Sequence, residues 1–100
     1  MKLPQLATII RSKNAGPATL TVDLFFSDDA AFQQAMAAPA LHTAAIAALY
    51  GVLPAEVNRF DLPAIRAIKF SLPRTIIAGT PGDADVYGAQ QHVPLLKLEL

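Results

Sequence analysis

The stretch Thr19-Leu20-Thr21-Val22-Asp23-Leu24-Phe25-Phe26 decides the fold, because apolar and polar residues alternate along it. One face carries Leu20, Val22, Leu24 and Phe26, and the other carries Thr19, Thr21 and Asp23. A period of two residues predicts a strand with one buried face and one wet face. The run at 6–11 is rich in β-branched residues and predicts a preceding strand. The polar segment 12–17 joins the two strands as the loop of a hairpin.

The residues after this hairpin show apolar positions at helical spacing. Ser27 is the predicted N-cap, with Asp28 and Asp29 in the first turn, where the helix dipole favours anions. Apolar residues at 32, 35 and 36 predict a helix that Pro39 ends. A second helix is predicted over 40–50, with Gly51 as its stop, and a further helical turn over 54–57.

The second half of the chain predicts more sheet. Residues 60–72 predict one long strand, interrupted by a bulge or edge segment at Pro63 and Arg66. One face of that strand would carry Phe60, Leu62, Ile68, Phe70 and Leu72. Residues 74–87 predict a loop, 86–91 a short helical turn, and 96–100 a terminal strand. Helices on one face of a mostly antiparallel sheet make an α+β two-layer sandwich.

Composition narrows the class of protein. The chain has 100 residues, 53% of them hydrophobic and 16% charged, with eight basic and eight acidic residues. This predicts a single domain over 1–100, and the neutral balance argues against a free-standing nucleic-acid binder. Cysteine is absent and only two histidines occur, too few for a zinc site. No stretch predicts a signal peptide or a membrane span, so we expect a cytoplasmic protein without a cofactor.

The first candidate site is the run Arg11-Ser12-Lys13-Asn14-Ala15-Gly16. A loop with adjacent Arg, Ser, Lys and Asn, given freedom by Gly16, could hold a carboxylate or a phosphate. The alternative is a plain hairpin loop, in which Asn14 and Gly16 supply unusual backbone dihedrals. The run lacks the glycine offsets and the following helix of a P-loop.

The second candidate site lies within 81–92 and holds Asp83, Asp85, Tyr87, Gln90, Gln91 and His92. Its side chains are adaptable hydrogen bonders that suit a surface for a partner or substrate. His92 is the candidate for proton transfer, because it lies near two carboxylates in sequence. Two Asp residues are too few for a Ca²⁺ loop, and a helix-capping role is the alternative for them, so no metal site is predicted.

These two segments carry a resemblance. The runs at 10–17 and 81–96 resemble the signatures of a short bacterial family known as a domain of unknown function. That family is similar to the ferredoxin-fold domain at the C-terminus of some AtuA proteins, named for acyclic terpene utilisation. The likeness extends over nearly the whole chain, including the strand around Ile65–Phe70. Longer relatives read Arg-Ser-Gly-Asp-Lys-Gly in the first loop, so any role of that Asp is not carried over.

The resemblance implies a ferredoxin-like fold and a separate small subunit. Such short proteins accompany a larger AtuA-type protein and enzymes of organic-acid or acyl-CoA breakdown. We therefore expect a subunit whose loops 11–17 and 81–92 face a shared site, with a carboxylate or acyl-CoA as the possible ligand. Two alternatives stay open. One is a stand-alone hydro-lyase or isomerase, in which Arg11 or Lys13 holds a carboxylate and His92 moves the proton. The other is a self-associating structural module without a ligand.

Overall fold

The computed structural model describes residues 1–74 and 92–100. Within them the helices are α1 (Leu3–Leu6), α2 (Asp29–Ala37) and α3 (Thr43–Tyr50). The strands are β1 (Ala7–Asn14), β2 (Thr19–Phe26), β3 (Asn58–Leu62) and β4 (Ala67–Pro73). Short 3-10 helices cover Pro39–Leu41, Pro54–Glu56, Pro63–Ile65 and Val93–Lys97. The strands form one antiparallel sheet in the order β1-β2-β4-β3.

The core lies between this sheet and the helices. Strand β2 forms as predicted, and Leu20, Val22, Leu24 and Phe26 are all buried. The prediction of a wet second face is wrong, because Thr21 and Asp23 on that face are buried too. Its partner β4 places Phe70 opposite Val22. Phe32 of α2 and Ile46 of α3 pack into the same cluster. Full burial of each such side chain contributes about 1.5–3 kcal/mol. The predicted α+β two-layer sandwich is confirmed, and it is compatible with a ferredoxin-like fold.

The helix pair follows its predicted signals, with one difference at the start. Asp28 rather than Ser27 caps α2, because its carboxylate accepts a hydrogen bond of 2.8 Å from the Ala31 amide. After Pro39 the chain makes a 3-10 turn before α3, which begins three residues later than predicted. Gly51 ends α3 at a φ of 70°, in the left-handed region that favours glycine.

The prediction of a single strand over 60–72 is wrong. Pro63 starts a 3-10 turn, and Arg66 adopts a φ of 49°, so the chain reverses and β3 pairs antiparallel with β4. The reversal resets the alternation of faces. Ile68, Phe70 and Leu72 are buried as predicted, whereas Phe60 and Leu62 lie exposed on the opposite face.

The predicted strand over 96–100 is also wrong. Residues Val93–Lys97 form a 3-10 helix, followed by one isolated bridge between Lys2 and Glu99. Leu95 and Leu98 both pack on the core, and their spacing of three residues fits the 3-10 period better than a strand. Helix α1 beside this segment was not predicted, because four residues are too few to establish a helical period.

The first predicted loop is shorter than expected. Strand β1 continues through Asn14, so only residues 15–18 connect it to β2. The hairpin itself is confirmed, with Ile10 opposite Leu24 and Asn14 opposite Leu20. Among the described residues, no helix is long and apolar enough to cross a membrane.

Candidate functional site

Strand β1 separates the residues of the first candidate site. Because side chains alternate along a strand, Ser12 and Asn14 lie on the helix-covered face and Arg11 and Lys13 on the other. Gly16 lies in the connecting loop with a φ of 99°, a conformation that glycine adopts readily. The structure therefore does not gather these five residues around one anion, and anion binding stays a prediction.

A hydrogen bond joins the first candidate segment to the second. The backbone amide of His92 donates to Ser12 Oγ at 3.0 Å, although the two residues lie 80 positions apart. Ser12 is 7% exposed. We call this contact the Ser12–His92 junction. It brings together one residue from each predicted site, which sequence spacing alone does not establish.

The imidazole of His92 adds a chemical group to this junction. Its Nδ1 is buried, and no hydrogen-bond partner for it lies within residues 1–74 and 92–100. A buried imidazole nitrogen that is not already hydrogen-bonded can accept a proton from a neighbouring group or donate one to it. The catalytic role of His92 remains a prediction, since no substrate defines the reacting atom.

Tyr50 and Arg74 are further polar groups of the helix-covered side. Burial raises the pKa of the Tyr50 phenol well above its usual value, so the hydroxyl stays neutral in the folded chain. Arg74 follows β4, is buried, and donates its backbone amide to Ala18 O at 2.9 Å. Sequence reasoning did not select either residue, because neither stands in a polar motif.

The basic residues Arg59, Arg66, Lys69 and Arg74 lie close in sequence but do not share one face of the sheet. Arg59 reaches under the helices and donates to the carbonyl oxygens of Leu41 and Met36, both at 3.1 Å. Arg66 pairs with Asp29 at 2.8 Å beside the β3–β4 turn. With Arg74 buried, Lys69 alone of this group lies on the sheet face opposite the helices.

That opposite face is covered by no described helix, and we call it the open face. Its first cross-strand row is apolar: Ile9 pairs with Phe25, Phe25 with Ala67, and Ala67 with Leu62. Ile9 is 50% exposed and Leu62 38%. Three strand spacings place these two residues roughly 14 Å apart, at the two edges of the sheet.

The second row of the open face is charged. Arg11 pairs with Asp23, Asp23 with Lys69, and Lys69 with Phe60. Arg11 Nε donates to Asp23 Oδ2 at 3.2 Å, and its guanidinium lies 4.9 Å from the centre of the Phe25 ring. Asp23 is only 6% exposed, although no described helix covers this face. Phe60 is 50% exposed and extends the apolar row.

The third row is polar, with Lys13 beside Thr21, Thr21 beside Ser71, and Ser71 beside Asn58. Thr21 donates its hydroxyl to the Lys13 carbonyl at 3.3 Å, which holds the hairpin together. Sequence reasoning missed the open face as a surface, because its rows depend on the register between strands. The alternation of Arg11 and Lys13 with Ser12 and Asn14 is the available signal, but the predicted strand ends at Arg11 and leaves Lys13 in the loop.

The remaining predicted site residues, Asp83, Asp85, Tyr87, Gln90 and Gln91, lie outside the described residues. Within residues 1–74 and 92–100, no group of three or more His, Asp or Glu side chains gathers to hold a metal ion.

Comparison with known proteins gives one match. No curated protein and no solved structure matches the chain. A family model matches residues 3–99, which takes in every element described above. The chain therefore belongs to the family described as Domain of unknown function (DUF4387).

Proposed function

We propose that the chain is a small cytoplasmic accessory subunit that docks through its open face on a larger, AtuA-type protein of organic-acid or acyl-CoA catabolism. The observation that carries the proposal is the apolar exposure of that face, where Ile9, Phe60 and Leu62 lie around a shielded carboxylate. A sheet normally buries apolar side chains against another layer, and contiguous exposed ones mark interaction sites. No described helix supplies that layer.

The Ser12–His92 junction supports the second half of the proposal, a contribution to a shared site. Strand β1 is an edge of the sheet and carries Arg11 on one face and Ser12 on the other. A protein docked on the open face would therefore reach this edge beside His92. His92 lies on the helix-covered side of that edge, so the docked protein would have to extend around β1 to share a site with it. Ligand sites commonly form at such boundaries between proteins.

Co-expression with the large protein encoded beside this chain tests the proposal. We expect one complex in size-exclusion chromatography with the wild-type chain, and loss of it with the double variant Ile9→Glu and Phe60→Glu. Both positions are exposed, so the variant should fold. The matched control is Leu49→Glu with Leu53→Glu, two exposed residues of the helix layer. Failure of the wild-type chain to co-elute at any salt concentration would refute the docking role.

A stand-alone hydro-lyase or isomerase acting on a carboxylate is the second candidate. The buried Nδ1 of His92 favours it, because a proton-transfer group needs a nitrogen that is not already committed. Arg11 and Lys13 lie on the opposite face of β1 from Ser12, so a small substrate cannot contact them and His92 together without reaching around the strand. Turnover of organic acids or their CoA esters by the pure chain, lost in His92→Ala, would support this candidate over the first.

A further inference from the structure

We infer that the partner protein binds the open face through an anionic surface, on which carboxylates lie among apolar side chains. The inference rests on the proposed function and specifies the chemistry of the docking partner. Its basis is a charge asymmetry: the chain as a whole is neutral, whereas the residues described on the open face include Arg11, Lys13 and Lys69 against one carboxylate, Asp23.

The accessible charge of this face is more positive than the count of residues indicates. Asp23 is buried and paired with Arg11, so its carboxylate is already used within the chain. Lys13 is exposed and Lys69 half-buried, and Arg11 keeps more than half of its side chain in contact with water. A docking protein therefore meets three cationic side chains and no free carboxylate on the described open face.

Apolar side chains border the cations. Phe60 lies next to Lys69 across β3 and β4, and Ile9 lies two residues from Arg11 along β1. A partner surface with carboxylates among apolar residues would pair with the cations of the open face and also pack against its apolar side chains. Lysine and arginine stems lie along apolar surface while their charged ends reach outward, so the two chemistries fit one interface.

The same asymmetry argues against a second copy of this chain as the occupant. Two open faces packed against each other would bring six cationic side chains together, with both Asp23 carboxylates shielded. Like charges across an interface cost several kcal/mol and suppress association. The face is thus suited to a different protein of opposite charge.

Association kinetics test the inference. The chain, immobilised, is presented with the purified neighbouring large protein in a surface-plasmon experiment at ~0.02 M and ~0.5 M salt. The test variant is Lys13→Gln with Lys69→Gln, and the matched control is Lys2→Gln with Lys97→Gln. Each removes two positive charges, and Lys2 and Lys97 are exposed away from the open face. Thermal unfolding of each variant confirms folding.

We expect the test variant to associate roughly tenfold more slowly at low salt, the control to change less than about twofold, and the difference to vanish at high salt. A complex that forms equally fast with both variants overturns the inference and leaves the docking role standing. A wild-type chain that forms no complex refutes both. A chain that dimerises alone through Phe60 also overturns the inference, as does one that binds a single-stranded oligonucleotide there.

Discussion

The two faces of the sheet are built from the same strands but differ in the kinds of side chain they carry. On β2, Val22 is buried under the helices, and the adjacent Asp23 on the open face is buried as well. The two central strands present only apolar side chains to the helices, whereas the open face mixes exposed apolar residues with charge. The difference indicates that the helix-covered face holds the fold together, and it underlies the proposal that the open face binds a partner.

The largest expected effect is a difference in stability between alanine variants of two phenylalanines on opposite faces. Phe70→Ala removes a fully buried side chain from the core and should lower the free energy of unfolding by about 3–5 kcal/mol. Phe60→Ala removes a half-exposed ring from the open face and should cost less than about 1 kcal/mol. Urea denaturation followed by circular dichroism measures both. Equal losses would mean that the open face also supports the fold.

A smaller difference is expected within the charged row. Arg11→Ala leaves the buried Asp23 carboxylate without its partner and should lower the free energy of unfolding by about 1–3 kcal/mol. Asp23→Ala leaves only an exposed guanidinium, which water can solvate, and should cost less than about 1 kcal/mol. Thermal unfolding at low and high salt compares them. A larger loss in Asp23→Ala than in Arg11→Ala would contradict the burial pattern.

The helix-covered side should show a pH dependence that comes from Tyr50. Burial holds the pKa of Tyr50 above its usual value near 10. Above pH ~10 the unfolded chain loses a proton that the folded chain keeps, so stability falls as the pH rises. The wild type should lose up to about 1.4 kcal/mol per pH unit relative to Tyr50→Phe.

The urea midpoints of wild type and Tyr50→Phe are measured between pH ~9 and ~11. Titratable groups common to both proteins contribute equally and cancel when the midpoints are subtracted. Parallel pH profiles for wild type and Tyr50→Phe would show that the phenol is not shielded.

The smallest expected effect concerns the turn between β3 and β4. Arg66 has a φ of 49°, a region that costs little for glycine and more for other residues. Arg66→Ala and Arg66→Gly both lose the exposed contact with Asp29, but only the second relieves the backbone. Arg66→Gly should therefore melt roughly 2–5 °C above Arg66→Ala. The reverse order in differential scanning calorimetry would exclude strain at this turn.

Local signals in the sequence predicted much of the fold. Pro39 and Gly51 each act within a few residues and end a helix as predicted. The alternation at 19–26 predicts the strand and its apolar face correctly, but its polar face is buried rather than wet. The prediction of strands fails where an alternating pattern continues through a reversal of chain direction. Phe60 and Ile68 share a parity in sequence, yet the turn at Pro63–Ile65 sends them to opposite faces.

The candidate site was less accessible to sequence reasoning. Ser12 and His92 were selected individually, but their contact depends on the chain returning across 80 positions to the edge of β1. Arg11 and Lys13 were also selected, and their separation from Ser12 follows only once β1 is known to extend to Asn14. The open face depends on register among four strands, which composition and spacing do not contain.

Side-chain footprinting tests the docking role of the open face most directly. Hydroxyl radicals oxidise exposed apolar side chains, so the oxidation rates of Ile9 and Phe60 can be compared with those of Leu49 and Leu53. The comparison is made in the free chain and in a mixture with the proposed large partner. We expect the rates at Ile9 and Phe60 to fall severalfold on complex formation, while those at Leu49 and Leu53 stay unchanged. Protection of Leu49 and Leu53 with no change at Ile9 and Phe60 would contradict the account.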